Sequence, residues 1–264
     1  MSVIFDVKLA KLYESWYLST TGRAMEVFLA NNFPVLIAPK PGERILDIGC
    51  GSGNNLLFLK TMGLDLTGVD ASPYMIDLCK KRLGSHCNLK VGRAEDLPFE
   101  DNEFDIAIFV NSLEFLDNPQ EALREAGRVA RRKVFITVIN SFSWQCLFHR
   151  LIEPFSKSII HYAHSYNLWQ IRSQIKIAYG DVPINWRRKK IQSHLPLWSW
   201  SEKIQSLHCP FGQFLGISAS ISYTMRTDNL TLKVKNRTPN QSIVQGTTTI
   251  RRDKASKSSK AQNI

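Results

Sequence analysis

No stretch of this chain approaches the ~20 consecutive apolar residues that a membrane-spanning helix requires. Its opening, MSVIFDVKLAKLYE, carries charges at Asp6, Lys8 and Lys11 where a secretory leader would be uninterruptedly apolar, so a cytoplasmic protein is expected. Cysteine is scarce and odd in number: Cys50, Cys79, Cys87, Cys146 and Cys209 show no paired C-x-x-C spacing, which argues for free thiols against a disulfide framework. The six histidines are equally scattered. His161 and His164 come nearest to ligand spacing, but no carboxylate or thiol stands beside them, so no metal site is expected.

What the chain has in excess is positive charge, a formal +11, and its distribution matters more than its total. From Thr227 onward eight basic residues face two acids, so more than half of the excess lies in the last stretch. That stretch is rich in Ser, Thr, Lys and Asn and poor in aromatics. It buries too little surface to offset its ordering entropy, and residues 227–264 read as a basic, disordered tail. The remainder is long enough for one full core.

Leu9, Leu12, Tyr13, Trp16 and Tyr17 recur at the i, i+3, i+4, i+7, i+8 spacing of an amphipathic helix. A second helix is expected from Gly22 through Ala24 to Phe33, and Pro41-Gly42 then breaks the chain. Beyond it, strands and helices alternate. ERILDIGC is a strand, NNLLFLKTMG a helix, and LDLTGVD a second strand. SPYMIDLCKKRLG is a well-marked helix, with Ser72 as N-cap, Pro73 in the first position, three basic residues in the last turn and Gly84 as the stop. CNLKVG and FDIAIFVN are further strands, Asn118-Pro119 opens a helix, and RKVFITVIN is a fifth strand. Such alternation calls for a doubly wound, mostly parallel α/β sheet with ligands at the carboxyl ends of its strands.

At the first of those ends stands ILDIGCGSGNN, with glycines at 49, 51 and 53. The dinucleotide fingerprint G-x-G-x-x-G fails here, because Asn54 follows Gly53. Asp47 points the same way: a carboxylate repels a pyrophosphate but attracts a ligand bearing an ammonium and a sulfonium. Asp70, ending the second strand, is placed to accept hydrogen bonds from ribose hydroxyls, and capping of the next helix is its bland alternative.

Four stretches taken in order, DIGCGSG, GVDASPYM, AEDLPF and FDIAIFVNSLEFLDNP, resemble the class I S-adenosylmethionine-dependent methyltransferases. The similarity is to the small-molecule branch that includes the ubiquinone and menaquinone methyltransferases. It covers roughly residues 40–140. The resemblance implies a seven-stranded sheet whose last strand is antiparallel, here within PFGQFLGISASISY, with its hairpin partner near Asp181 to Arg187. It implies S-adenosyl-L-methionine as cofactor. Asp47, with the backbone around Gly49 and Gly51, would hold its methionine portion, Gly53 would belong to the same cofactor-binding loop, and Asp70 would hold the ribose. Ala71 and Met75 would pack on adenine, Ala94 and Glu95 would line the adenine edge, and the Asn111 carbonyl would meet the ammonium. Arg93 departs from the pattern, standing where many relatives carry an aspartate that contacts the adenine amino group. Residues 1–40 would form a helical lid, with Tyr13, Trp16 and Tyr17 toward the substrate, on a domain spanning residues 41–226.

A general base is needed only where the acceptor must lose a proton, and no catalytic residue is assigned. His149, His161, His164, Tyr13 and Tyr17 qualify by chemistry alone. Five of the six tryptophans, Trp144, Trp169, Trp186, Trp198 and Trp200, fall within the aromatic segment 141–200, which suits a lipophilic or ring-bearing acceptor or simply roofs the sheet. RRKK at Arg187 to Lys190 reads as a solvated face, a membrane-surface contact or a holder of an acidic substrate group. Three readings stay open: a small-molecule methyltransferase, an RNA or protein methyltransferase, and a cofactor-binding partner subunit without activity. Against the second, NSLE stands after the fourth strand where many amino-directed nucleic-acid methylases carry Asn-Pro-Pro-aromatic. Oligomeric state is not legible.

Overall fold

The computed structural model describes residues 4–143, 159–188 and 212–221. The expected tail, three of the tryptophans (Trp144, Trp198, Trp200), Lys189, Lys190 and His149 lie outside them. Two helices lead, α1 (Val7–Leu18) and α2 (Thr20–Ile37). Then follow β1 (Arg44–Ile48), α3 (Asn54–Lys60), β2 (Asp65–Asp70), α4 (Pro73–Leu83), β3 (Asn88–Val91), β4 (Phe104–Val110), α5 (Pro119–Val129) and β5 (Ala130–Ile139). The remaining described elements are α6 (Leu168–Tyr179), β6 (Ile184–Arg188) and β7 (Phe214–Ser220).

The seven strands form one sheet in the order β3-β2-β1-β4-β5-β7-β6. The first five are mutually parallel, and β7 runs antiparallel between β5 and β6. Side-chain alternation sorts residues onto the two faces of the sheet. Ile45, Ile106, Ile108, Phe135 and Phe214 pack with Phe28 and Phe33 of α2, Leu56 and Leu59 of α3, and Ile76 of α4. Their chain neighbours Leu46, Ala107, Phe109, Val134, Ile136 and Leu215 face the other way, onto Ala122, Leu123 and Ala126 of α5 and Ile171 and Ile175 of α6. Burial on both faces is why FDIAIFV reads as a nearly unbroken apolar run.

Helix boundaries follow local chemistry. The Ser72 Oγ accepts from the Met75 N–H at 3.2 Å, Pro73 opens α4, and Gly84 ends it with φ +60°. The Asn118 side chain caps α5 in the same way. One expectation needs correcting: α2 begins at Thr20, before Gly22, and runs through Pro34 to Ile37. The Ser19 side chain supplies its N-cap. Proline removes one internal hydrogen bond, but the turn it would break carries Leu36 and Ile37 into the core, which offsets that loss.

Candidate active site

The carboxyl ends of β1, β2, β3 and β4 lie along one edge of the sheet, and the loops that leave them build a cleft. The first loop is the glycine stretch. Gly49, Gly51 and Gly53 all hold positive φ (+74°, +53° and +85°), a conformation that costs a side-chain-bearing residue free energy. A Cβ at Gly49 would lie 2.5 Å from Ser112 Cβ, so this turn passes flush against the loop after β4. Ser112 fixes that approach by donating its hydroxyl to the Ile48 carbonyl at 2.6 Å.

Asp70 is tied to the same loop. Its Oδ2 accepts from the Gly51 N–H at 2.9 Å and its Oδ1 from the Ser72 N–H at 2.8 Å. Capping of α4 belongs to Ser72, so the bland reading of Asp70 as that cap does not hold. Desolvation raises its pKa, and the two backbone hydrogen bonds oppose the rise. Asp47 is in a different situation. It is fully buried, and neither carboxylate oxygen has a hydrogen-bond partner. Burial first, and the Asp70 charge second, push its pKa up to about 8, while the nearby Asn55 amide lowers it only in part. A buried ionisable group without a partner is costly unless something ionic completes it.

The cleft, about 710 Å³ including its open mouth, is lined by eight of the expected cofactor residues: Gly49, Gly51, Asp70, Ala71, Met75, Ala94, Glu95 and Asn111. Asp47 and Gly53 are not in its wall. Asp47 lies behind the loop because it shares a strand face with Ile45. Gly53 is turned toward α4, where a Cβ would meet Cys79 Sγ at 2.5 Å. Asn111 leaves β4 with φ +51°, a strained conformation for a non-glycine residue, and its N–H is held by the Thr137 carbonyl at 3.0 Å. Tyr13 also lines the cleft, with its ring beside Gly51. Trp16 packs behind it, and the Tyr17 hydroxyl donates to Glu26 Oε1 at 2.5 Å, so neither joins the wall. Burial and surrounding carboxylates raise the Tyr13 pKa, and burial and Glu26 raise that of Tyr17.

Sequence reasoning missed Ile4, Phe5, Ser112, Phe115 and Leu116, which supply the apolar and hydroxyl wall. It also missed Glu114, which is buried just behind them. Glu114 Oε1 accepts from the Ile139 N–H at 2.9 Å, Oε2 has no partner, and burial pushes the pKa up to about 8. An acid set among apolar residues in SLEFL was the available signal. The charged residues of the wall are Asp70, Glu95 and Arg93, and the buried carboxyls of Asp47 and Glu114 behind it are largely protonated near neutral pH. Arg93 Nη2 lies 3.5 Å from Glu95 Oε2, which leaves the cleft net acidic within a chain of net charge +11. Net negative charge in a cleft attracts cationic groups. No group of His, Cys, Asp and Glu among the described residues is arranged to hold a metal ion.

Residues 46–138 match the Methyltransferase domain family. The chain belongs to the class I S-adenosylmethionine-dependent methyltransferases. Among curated relatives it is 33% identical over 143 residues to the uncharacterized protein MJ1123 of Methanocaldococcus jannaschii, covering 53% of this chain and 63% of that one, less than two thirds of its length. It is 30% identical over 188 residues to the uncharacterized protein Rv1405c of Mycobacterium tuberculosis, covering 67% and 68%. Among solved structures, a SAM-dependent methyltransferase of Thermotoga maritima matches 81% of this methyltransferase and 97% of that chain, with a TM-score of 0.60 and 21% identity. Magnesium protoporphyrin IX methyltransferase of Synechocystis, solved with bound SAH, matches 83% and 96% with a TM-score of 0.59 and 14% identity. These two likenesses concern the fold.

Proposed function

We propose that this methyltransferase transfers a methyl group from S-adenosyl-L-methionine to a small, lipophilic or aromatic acceptor. The observation that carries the cofactor reading is Asp47, a buried carboxyl approached only by the Asn55 amide, set behind a glycine loop that at Gly49 and Gly53 leaves no space for a side chain. An amino-acid ammonium reached through that loop is the missing partner. Asp70 keeps free lone pairs beyond its two backbone bonds and is suited to a ribose diol. Ala71, Met75, Ala94 and Glu95 form the wall for the base, and Asn111 presents its backbone at the amino-acid end. The sulfonium supplies an already activated methyl, so the chain's task is to orient an acceptor and exclude water.

Apolar Ile4, Phe5, Phe115 and Leu116 at the cleft favour a lipophilic acceptor. The acidity of the cleft counts against a polyanionic one, which disfavours RNA. With both phenols held above their ordinary range, proton removal does not fall to Tyr13 or Tyr17 near neutral pH. Residues 1–40 serve as the lid of a domain spanning residues 41–226, and the protein works in the cytoplasm. No helix among the described residues is long and apolar enough to cross a membrane.

Calorimetric titration with S-adenosylhomocysteine, using NADH as control, tests the cofactor reading. Micromolar binding of the first and none of the second is expected. Asp70→Ala should cost about 1.5–3 kcal/mol of affinity, the worth of hydrogen bonds to an ionised acceptor. Absence of wild-type binding, or a variant within twofold of wild type, would overturn the corresponding assignment. Radiolabelled S-adenosylmethionine with extract fractions then tests the acceptor class, which is wrong if label enters only protein or nucleic acid.

A further inference from the structure

Between Ile4 and Glu14 the chain crosses the mouth of the cleft, and Ile4, Phe5 and Tyr13 contribute to its wall. This crossing is pinned on both banks. On the α4 side the Ser72 hydroxyl donates to the Phe5 carbonyl at 2.6 Å. On the β4 side the Phe5 ring meets Phe115 edge-on, with centroids 5.2 Å apart, and it also meets Tyr13 at 5.9 Å. Asp6 then caps α1 through the N–H groups of Lys8 and Leu9.

One turn further on, Glu14 enters a polar cluster of residues from three separate parts of the chain. Arg82, in the last turn of α4, donates through Nη2 to both Glu14 oxygens at 3.4 and 3.2 Å. Its Nη1 donates to Ser52 Oγ at 3.0 Å and to Asn54 Oδ1. The Ser52 hydroxyl in turn donates to Glu14 Oε1. Ser52 is itself buried in the glycine loop, so the cluster fastens α1 directly to the loop that shapes the cleft floor. The Glu14 and Arg82 side chains are each about a third exposed (32% and 31%), so the fastening is wetted and breakable, unlike the core contacts behind it.

We propose that residues 4–14 form a strap that must lift to admit and release the cofactor, and that Glu14 and Arg82 are positioning residues that clasp it to the glycine loop. The inference rests on the cofactor reading above. A ligand seated between Asp70 and Gly49 has the strap across its exit, so breaking the clasp shortens its residence and, because the strap also lifts for entry, does not slow its arrival. Ser52 makes the coupling two-way, because loop and strap share its hydroxyl.

Stopped-flow tryptophan fluorescence, with Trp16 on α1 as a reporter, gives the association and dissociation rates of S-adenosylhomocysteine for the full chain. Glu14→Gln and Arg82→Ala are each expected to raise the dissociation rate about fivefold to twentyfold. The charge-swapped double variant Glu14→Arg/Arg82→Glu should return it to within threefold of wild type. Raising salt should speed dissociation in wild type and leave Arg82→Ala unmoved, since screening acts on the charge pair. Melting temperatures without ligand show whether a variant has lost its fold; for any that has, the salt dependence of the wild-type rate decides. Folded variants within twofold of the wild-type dissociation rate, no recovery in the swap, or a salt-independent wild type would overturn the clasp while leaving the cofactor reading intact. Failure of wild type to bind S-adenosylhomocysteine would overturn both.

Discussion

Asp47 makes a quantitative claim about how ligand affinity responds to pH. In the free protein its carboxyl, raised to about 8 chiefly by burial and next by the Asp70 charge, is mostly protonated at pH 7. An ammonium partner favours the ionised form, so binding below pH 8 expels a proton. Affinity for S-adenosylhomocysteine should then rise between about pH 6 and 8 by up to tenfold per unit, and flatten above that. The free protein moves the opposite way. Because the folded value lies above the ordinary 3.8, this group's contribution to stability is complete below pH 3.8 and is lost as pH climbs toward 8. The ceiling on that loss is about 1.4 kcal/mol per pH unit. Asp47→Asn removes both dependences at once. At pH 8 it should weaken binding by about 1.5–3 kcal/mol, the worth of a charged hydrogen bond, and leave only the ligand's own titration in the affinity profile. Calorimetry in buffers of different ionisation enthalpy counts the released proton directly. A wild-type affinity flat from pH 6 to 8, or an unchanged slope in Asp47→Asn, would refute the assignment of Asp47 as the ammonium's partner.

Glu114 follows the same sign. Its pKa is raised from 4.5 to about 8, so urea-measured stability should fall as pH rises through that window, and Glu114→Gln should make the fall shallower while still accepting from the Ile139 N–H. Gly49→Ala combines a positive φ with a Cβ 2.5 Å from Ser112 Cβ. It should destabilise by about 2–4 kcal/mol in urea denaturation and lose ligand affinity, and a loss of affinity without destabilisation would contradict the packing argument. Phe135 is fully buried, edge-on to Phe33 at 5.2 Å. Phe135→Ala should cost about 3–5 kcal/mol at any pH, which serves as the pH-independent comparison for Glu114.

What was legible in the sequence was whatever the chain settles locally. Three alternate glycines admit a left-handed turn that other residues resist, and Ser72-Pro73 favours a helix start, so the loop and α4 could be placed from short stretches of sequence. The capping box of Asn167 and Gln170 that opens α6 was equally local, but it was overlooked beneath the aromatic pattern of that segment. Strand parity was legible in principle and decides Asp47: as a neighbour of Ile45's face, its carboxylate is carried under the loop, while Asp70, at the very end of its strand, stays at the edge. The helical period of α1 gave its amphipathic face but not which rim of that face meets the cleft. Tyr13 therefore reached the wall and Tyr17 did not, although both fit the same stripe. Nothing near Glu14 in the chain marks it out, because its partner Arg82 lies 68 positions away, and the acidity of SLEFL acquired meaning only once Ile139, 25 positions on, closed over it. The cleft is thus specified by short-range rules where its backbone turns tightly. Its gate and its buried acids are specified by pairings that only the wound sheet brings together, and mutational tests of the proposed mechanism belong at those pairings.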